Sequence, residues 1–171
     1  MKKLVVIING IGSVGKDTIC QIVAQYYPVK IISAIDPIKK IALHGGWSYC
    51  DKSLKGRRLL SELKLAFIKY NDLPVSHLLE EYSTFLQSSS DILFAHIREP
   101  EEIAKFKSAV STPCVTLLIT SLSSSNAYFG NYSDDEVGNY RYDYIYNNVL
   151  SLEELDSDFM IFFESILRKQ K

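Results

Sequence analysis

The stretch Asn9-Gly10-Ile11-Gly12-Ser13-Val14-Gly15-Lys16-Asp17-Thr18 constrains this chain more than any other. An apolar run, Leu4-Val5-Val6-Ile7-Ile8, comes before it, and Ile19, Ile22, Val23 and Tyr26 follow at helical spacing. Strand, glycine loop and helix in direct succession are the context in which a backbone cradles an anion. Gly10, Gly12 and Gly15 admit positive φ and let N–H groups approach a phosphate closely. The helix opening near Gly15 adds unpaired donors and the positive end of its dipole. Lys16 then has the reach for the terminal phosphates of a nucleoside triphosphate.

Two motifs share these letters. Gly10-x-x-x-x-Gly15-Lys16 is the Walker A pattern, with Asp17 where a hydroxyl usually stands and Thr18 one place later. Gly10-x-Gly12-x-x-Gly15 also fits the Rossmann dinucleotide fingerprint, and Asp36 lies about 20 residues on, where that fold places its ribose-binding acid. Lys16 favours the triphosphate reading, because a dinucleotide site packs its helix start against the pyrophosphate and has no use for a lysine there. A purely structural glycine turn is the third alternative.

A chain of 171 residues is expected to form one domain with a layered α/β core. A net charge of −1 argues against a large nucleic-acid footprint. No apolar run is long enough for a signal peptide or a bilayer span, so neither a membrane nor a nucleic-acid partner is expected. Cys20, Cys50 and Cys114 are scattered, which reads as thiols in a reducing compartment and gives the cytoplasm as the expected location.

Along the chain, Val29 to Ile35 reads as a second strand. It leads into a helix that Asp36 would cap, with Pro37 at its first position and Gly45-Gly46 at its end. Asp36 thus stands at the carboxyl end of a strand, the ligand edge of an α/β sheet, either as a plain cap or as a functional carboxylate. A helix from about Leu54 to Tyr70 turns Leu59, Leu60, Leu63, Phe67 and Ile68 inward. Lys52, Lys55, Arg57, Arg58 and Lys64 gather on its first half, where the helix dipole does not favour cations, and this favours an anionic partner over a solvated face. After a turn at Asn71–Pro74, a helix from Val75 to about Leu86 faces Leu78, Leu79, Tyr82 and Leu86 inward. Asp91–Ile97 is a nearly continuous apolar run, as a buried parallel strand should be, with His96 read as a core histidine. Arg98 follows at the strand end and Pro100-Glu101-Glu102 opens a helix, so Arg98 shares the edge of the glycine loop.

Cys114–Thr120 is a fourth strand. Residues 121–138, rich in Ser, Asn, Tyr and Asp, are long enough for a lid or binding loop extending to Arg141. Asp134, Asp135 and Glu136 read most simply as a solvated turn, with metal binding as the alternative. Tyr142–Tyr146 alternates like a fifth strand, and Ser151-x-x-Glu154 is a capping box for a last helix held by Leu155, Phe159, Phe162, Phe163, Ile166 and Leu167.

Gly15-Lys16-Asp17-Thr18, Ala34-Ile35-Asp36-Pro37-Ile38-Lys39 and Ile97-Arg98-Glu99-Pro100-Glu101 together resemble phage and bacterial deoxynucleoside monophosphate kinases, as does Asp143–Asn148 with Leu152–Leu155. These belong to the P-loop nucleoside monophosphate kinase group. The resemblance implies a three-layer α/β/α fold with a five-stranded parallel sheet, Mg²⁺ as cofactor, ATP as phosphoryl donor and a small phosphorylated acceptor. It implies that the backbone from Gly10 through Gly12, Ser13, Val14 and Gly15 cradles phosphate, with Lys16 on the β/γ-phosphates and Thr18 on the α-phosphate. Asp17 would hold Mg²⁺, directly or through water. Asp36 would orient the acceptor, Arg98 would bind phosphate, and Arg57, Arg58 and Arg141 would lie near the acceptor. Lys16, Asp36 and Arg98 are thereby the expected catalytic set. Two departures stand out: His96 replaces an aspartate frequent in that family, and residues 121–140 contain no Lys or Arg. The expected function is a kinase for a nucleoside or deoxynucleoside monophosphate. The alternatives are a nucleotide-binding regulator or weak NTPase, and the dinucleotide binder above.

Overall fold

The computed structural model describes residues 2–51, 53–121 and 136–170. Lys52 of the expected basic cluster and residues 122–135 of the expected lid, with Asp134 and Asp135, lie outside them. Five strands, β1 (Leu4–Asn9), β2 (Val29–Ser33), β3 (Ile92–His96), β4 (Cys114–Thr120) and β5 (Tyr144–Asn147), pair in the order β2-β3-β1-β4-β5. Every pairing is parallel. The helices are α1 (Lys16–Tyr26), α2 (Asp36–His44), α3 (Leu54–Asn71), α4 (Leu73–Gln87), α5 (Pro100–Ala109) and α6 (Leu152–Lys169), with a 3₁₀ turn at Glu136–Asn139.

All six residues of β1 are buried, because the strand is central and covered on both faces. Leu4, Val6 and Ile8 enter a core with Ile19 and Val23 of α1, Phe94 of β3 and Phe159 and Phe163 of α6. Val5 and Ile7 point the other way, into a core with Leu78, Tyr82 and Phe85 of α4 and Ile103 and Phe106 of α5. The result is the three-layer α/β/α arrangement, and five parallel strands bring their carboxyl ends to one edge. Lys3, just before β1, fixes the far edge: its Nζ donates to the carbonyls of Phe85 at 3.0 Å, Ser88 at 2.9 Å and Ser90 at 2.6 Å, closing the end of α4.

Strand order also decides between the two glycine motifs. The dinucleotide fold places its second strand beside the first. Here β3 occupies that place, in register from Leu4↔Ile92 to Ile8↔His96, and β2 is an edge strand. The Rossmann alternative falls on this topology.

Several local expectations are corrected. The turn at Asn71–Pro74 contracts to one left-handed residue, Asp72 (φ 52, ψ 38), which ends α3 and starts α4. Asp36 is the first residue of α2 rather than its cap; Ile35 holds the cap position and no side chain bonds there. Ser151 does cap α6 in position, but its hydroxyl donates to Glu154 Oε2 at 2.9 Å and accepts nothing from the backbone. Leu86 and Leu59 are exposed, not inward. On α3 the only fully buried residues are Gly56 and Lys64, while Leu60, Leu63, Phe67 and Ile68 of its apolar stripe are half-buried.

No helix among the described residues is long and apolar enough to cross a membrane. The three thiols differ in reach. Cys20 is buried in the α1 core and its thiol is held well above the ordinary range by burial, and burial pushes Cys114 up to about 12. Cys50 is exposed. Thiolate is the reactive form, so a disulfide reagent at pH 7.5 should label Cys50 at least about tenfold faster than the other two, all three reacting alike in denaturant. Equal native rates would contradict this packing.

Candidate nucleotide-binding site

The loop between β1 and α1 takes its shape from two close approaches. Gly10 has φ 147, and a Cβ there would lie 2.5 Å from the Ile119 carbonyl oxygen of neighbouring β4. Gly15, at φ 91, precedes α1 as its cap, and a Cβ would lie 2.5 Å from Asn148 Nδ2. Gly12 does not share this geometry: the left-handed residue in mid-loop is Ser13, at φ 67. A non-glycine residue held there stores local strain, as at many ligand-gripping turns.

Two asparagines hold the loop down. Asn9, fully buried at the end of β1, accepts from Gly10 N at 2.7 Å through Oδ1. Its Nδ2 donates to the Arg98 carbonyl at 2.9 Å and to Tyr142 Oη at 2.7 Å, and Tyr142 in turn donates to the Val137 carbonyl at 2.9 Å. Asn148, just past β5, donates from Nδ2 to the Val14 carbonyl at 2.9 Å and from its backbone N–H to the Thr120 carbonyl at 2.7 Å. Sequence reading singled out neither residue. A polar side chain ending an otherwise apolar strand, directly before a glycine, is the signal that marks Asn9.

Lys16 is the first residue of α1, and its Nζ donates to the carbonyls of Gly10 at 2.5 Å and Ile11 at 2.7 Å, curling over the loop it is expected to serve. Asp17 in the same turn is 90% exposed, with Oδ1 3.9 Å from His96 Nε2. His96 ends β3, its Nε2 also 3.7 Å from Cys20 Sγ. Burial lowers its pKa to about 4; Asp17 opposes that, and Lys16, Arg98 and Lys39 reinforce it. The imidazole is therefore neutral at pH 7. The core-histidine reading holds for its burial, but its place is the rim of the loop, beside Asp17. Arg98, half-buried, lies two residues past His96, beyond the end of β3. Asp36 Oδ1 lies 3.8 Å from Lys39 Nζ, one helical turn on.

The structure thus gathers Lys16, Asp17, Lys39, His96 and Arg98 at one edge, with Asp36 beside Lys39. It does not gather the expected basic cluster. Arg58 is 81% exposed and paired with Glu62 at 2.7 Å, and Lys64 is buried against Glu99 and Glu102. Arg57 is half-buried on α3. Arg141 is exposed and makes no hydrogen bond or ion pair among the described residues.

As to a metal, no group of three or more His, Cys, Asp or Glu side chains among the described residues could form a cage. A lone exposed carboxylate at the start of α1 instead fits the way Mg²⁺ is held with a nucleotide, by one or two carboxylates, phosphate oxygens and water.

No family profile matches the chain, and neither does any curated protein. Among solved structures, a kinase candidate from Chloroflexus aurantiacus j-10-fl is similar at TM-score 0.53 and 14% identity, over 99% of this chain and 98% of that one. Shikimate kinase from Aquifex aeolicus vf5 aligns at TM-score 0.45 and 14% identity, over 96% and 98%. The APS kinase of Mycobacterium tuberculosis aligns at 0.45 and 13%, over 95% and 98%. At these identities the likeness is one of fold.

Proposed function

We propose that this protein is an ATP-dependent small-molecule kinase whose acceptor is a nucleoside or deoxynucleoside monophosphate. The observation that carries the reading is that Lys16 curls over the glycine loop, with Asp17 beside it facing His96 at the end of β3 and the Arg98 backbone tied to the same loop through Asn9. Mg-ATP, as co-substrate, supplies the phosphoryl group and the metal's charge. The backbone N–H groups of Gly12 to Gly15 and the start of α1 would hold its phosphates, with Thr18 on the α-phosphate and Asp17 on Mg²⁺. Lys16 would exchange two loop carbonyls for phosphate oxygens, and Arg98 would add the second cation that phosphoryl transfer requires. His96, being neutral, adds no charge to that set. Asp36 would position the acceptor, with Arg57 and Arg141 as further anion contacts. Arg58, committed to Glu62, is the weakest member of the acceptor set.

A lid sequence without Lys or Arg between residues 121 and 140 favours one second reading, a nucleotide-binding regulator or weak NTPase. A thermal-shift panel followed by an ADP-release assay separates them. Mg-ATP at about 100-fold over its Kd should stabilise by about 2.7 kcal/mol, several degrees in Tm. At least one nucleoside monophosphate should then stimulate ADP release. ATP binding without acceptor stimulation selects the second reading, and no shift with Mg-ATP overturns both.

A further inference from the structure

We propose that Lys64, Glu99 and Glu102 form a buried latch that sets the position of α3 relative to Arg98 and the glycine loop, making Lys64 and Glu99 positioning residues for the acceptor. What the latch positions rests on the kinase reading above; its existence does not.

A helix usually docks through an apolar face; α3 only half-buries Leu60, Leu63, Phe67 and Ile68, and adds a charged anchor. Leu54, Leu59 and Leu65 are exposed, and Lys64 is its one buried side chain larger than glycine. Lys64, Glu99 and Glu102 are only 5%, 6% and 3% exposed. Lys64 Nζ donates to Glu99 Oε2, and to Glu102 Oε2 at 2.8 Å. Buried ion pairs seldom exceed a packed apolar contact in stability, and specifying one geometry is a role they fill better. A second ionic link, Lys105 to Asp72 at 2.6 Å, joins α5 to the last turn of α3. The helix start is held as well, since Ser53 Oγ accepts from Gly56 N at 3.1 Å and Asp51 Oδ1 accepts from Ser53 N at 3.0 Å.

The latch leads to the site by a short path. Glu99 adjoins Arg98, whose carbonyl accepts from Asn9, and Asn9 holds Gly10 N. Arg57 lies seven residues before Lys64, on the same helix face. Moving Lys64 therefore moves Arg57 with respect to Arg98 and the loop.

One ammonium faces two carboxyls, so the cluster carries a surplus acid. Burial raises Glu102 to about 8, Lys64 opposing and Glu99 assisting, and Glu102 Oε1 is buried with no hydrogen-bond partner among the described residues. Lys64 from α3, Glu99 from the preceding turn, and Lys105 with Asp72 at the far end of the same interface are the charged groups around it. The folded pKa lies above the ordinary 4.5. The latch is then firm where Glu102 is protonated and loosens as pH rises through about 8, where a second buried negative charge appears.

Hydrogen exchange of the full chain, corrected for intrinsic rates and followed in peptides of residues 54–71, tests this. Protection of α3 should fall about tenfold between pH 6 and pH 9 in the wild type. Glu102→Gln keeps the shape and should remove that step. Lys64→Met should speed α3 exchange about tenfold at every pH while β1 and β4 peptides stay unchanged. With an active nucleoside monophosphate, Lys64→Met should raise the acceptor KM about tenfold and leave the ATP KM within about twofold. Unchanged α3 protection in Lys64→Met, a pH step that survives Glu102→Gln, or equal shifts in both KM values would overturn the latch. If no monophosphate is phosphorylated, the kinase reading fails and the exchange data still judge the latch.

Discussion

Lys16→Met is expected to lower kcat/KM for ATP by roughly 10²–10³ and to erase the Tm increase produced by Mg-ATP. Its methylene stem is kept, so packing changes little; the ammonium is what goes. Without nucleotide, that ammonium makes two hydrogen bonds to loop carbonyls at the rim. Such bonds contribute about 1 kcal/mol each, so the unliganded protein should lose no more than about 4–8 °C in Tm. The pattern to look for is a large functional loss on a nearly intact fold. An undiminished ATP-induced shift in this variant would remove Lys16 from the site.

Asn9→Ala should give the opposite pattern, a large loss of stability before any ligand is added. The change strips a partner from Gly10 N, from the Arg98 carbonyl and from Tyr142 Oη, all around a side chain that is fully buried. At about 1–3 kcal/mol for each group left unsatisfied, with partial relaxation, roughly 3 kcal/mol is expected, or about 6–12 °C in Tm. ATP affinity should fall as well, because Gly10 is no longer fixed. Asn9→Asp makes a useful companion: it keeps the acceptor for Gly10 N but removes both donated bonds and buries a charge, so it should be no more stable than the alanine variant. A chemical or thermal melt of Asn9→Ala matching the wild type within about 2 °C would show that the hub is not structural.

Elements with a strong local period were legible in the sequence. The apolar runs at 4–8, 91–97 and 114–120 became the three inner strands, and the glycine loop sat where strand and helix required. What escaped was set by partners far away along the chain. Lys64 looked like one of five clustered cations, but Glu99 and Glu102 lie 35 and 38 residues on and draw it inside. Glu102 read simply as an acid suited to the start of a helix. Asn9 bonds to residues 89 and 133 positions away, and no local pattern carries that information. On α3 the helical period was legible for Leu60, Leu63, Phe67 and Ile68, which are half-buried, and missed for Leu59, which is exposed.

The bond from Asn148 to the Val14 carbonyl joins positions 134 residues apart. During synthesis the glycine loop emerges well before the strand that carries Asn148 into place. A nascent chain ending before β5 would carry an open β4 edge and a loop lacking its clamp. Nearly every contact of the sheet is likewise long in sequence, a topology that folds slowly because loop closure comes before its reward. The anion cradle is thus translated well before the segments that give it its working shape.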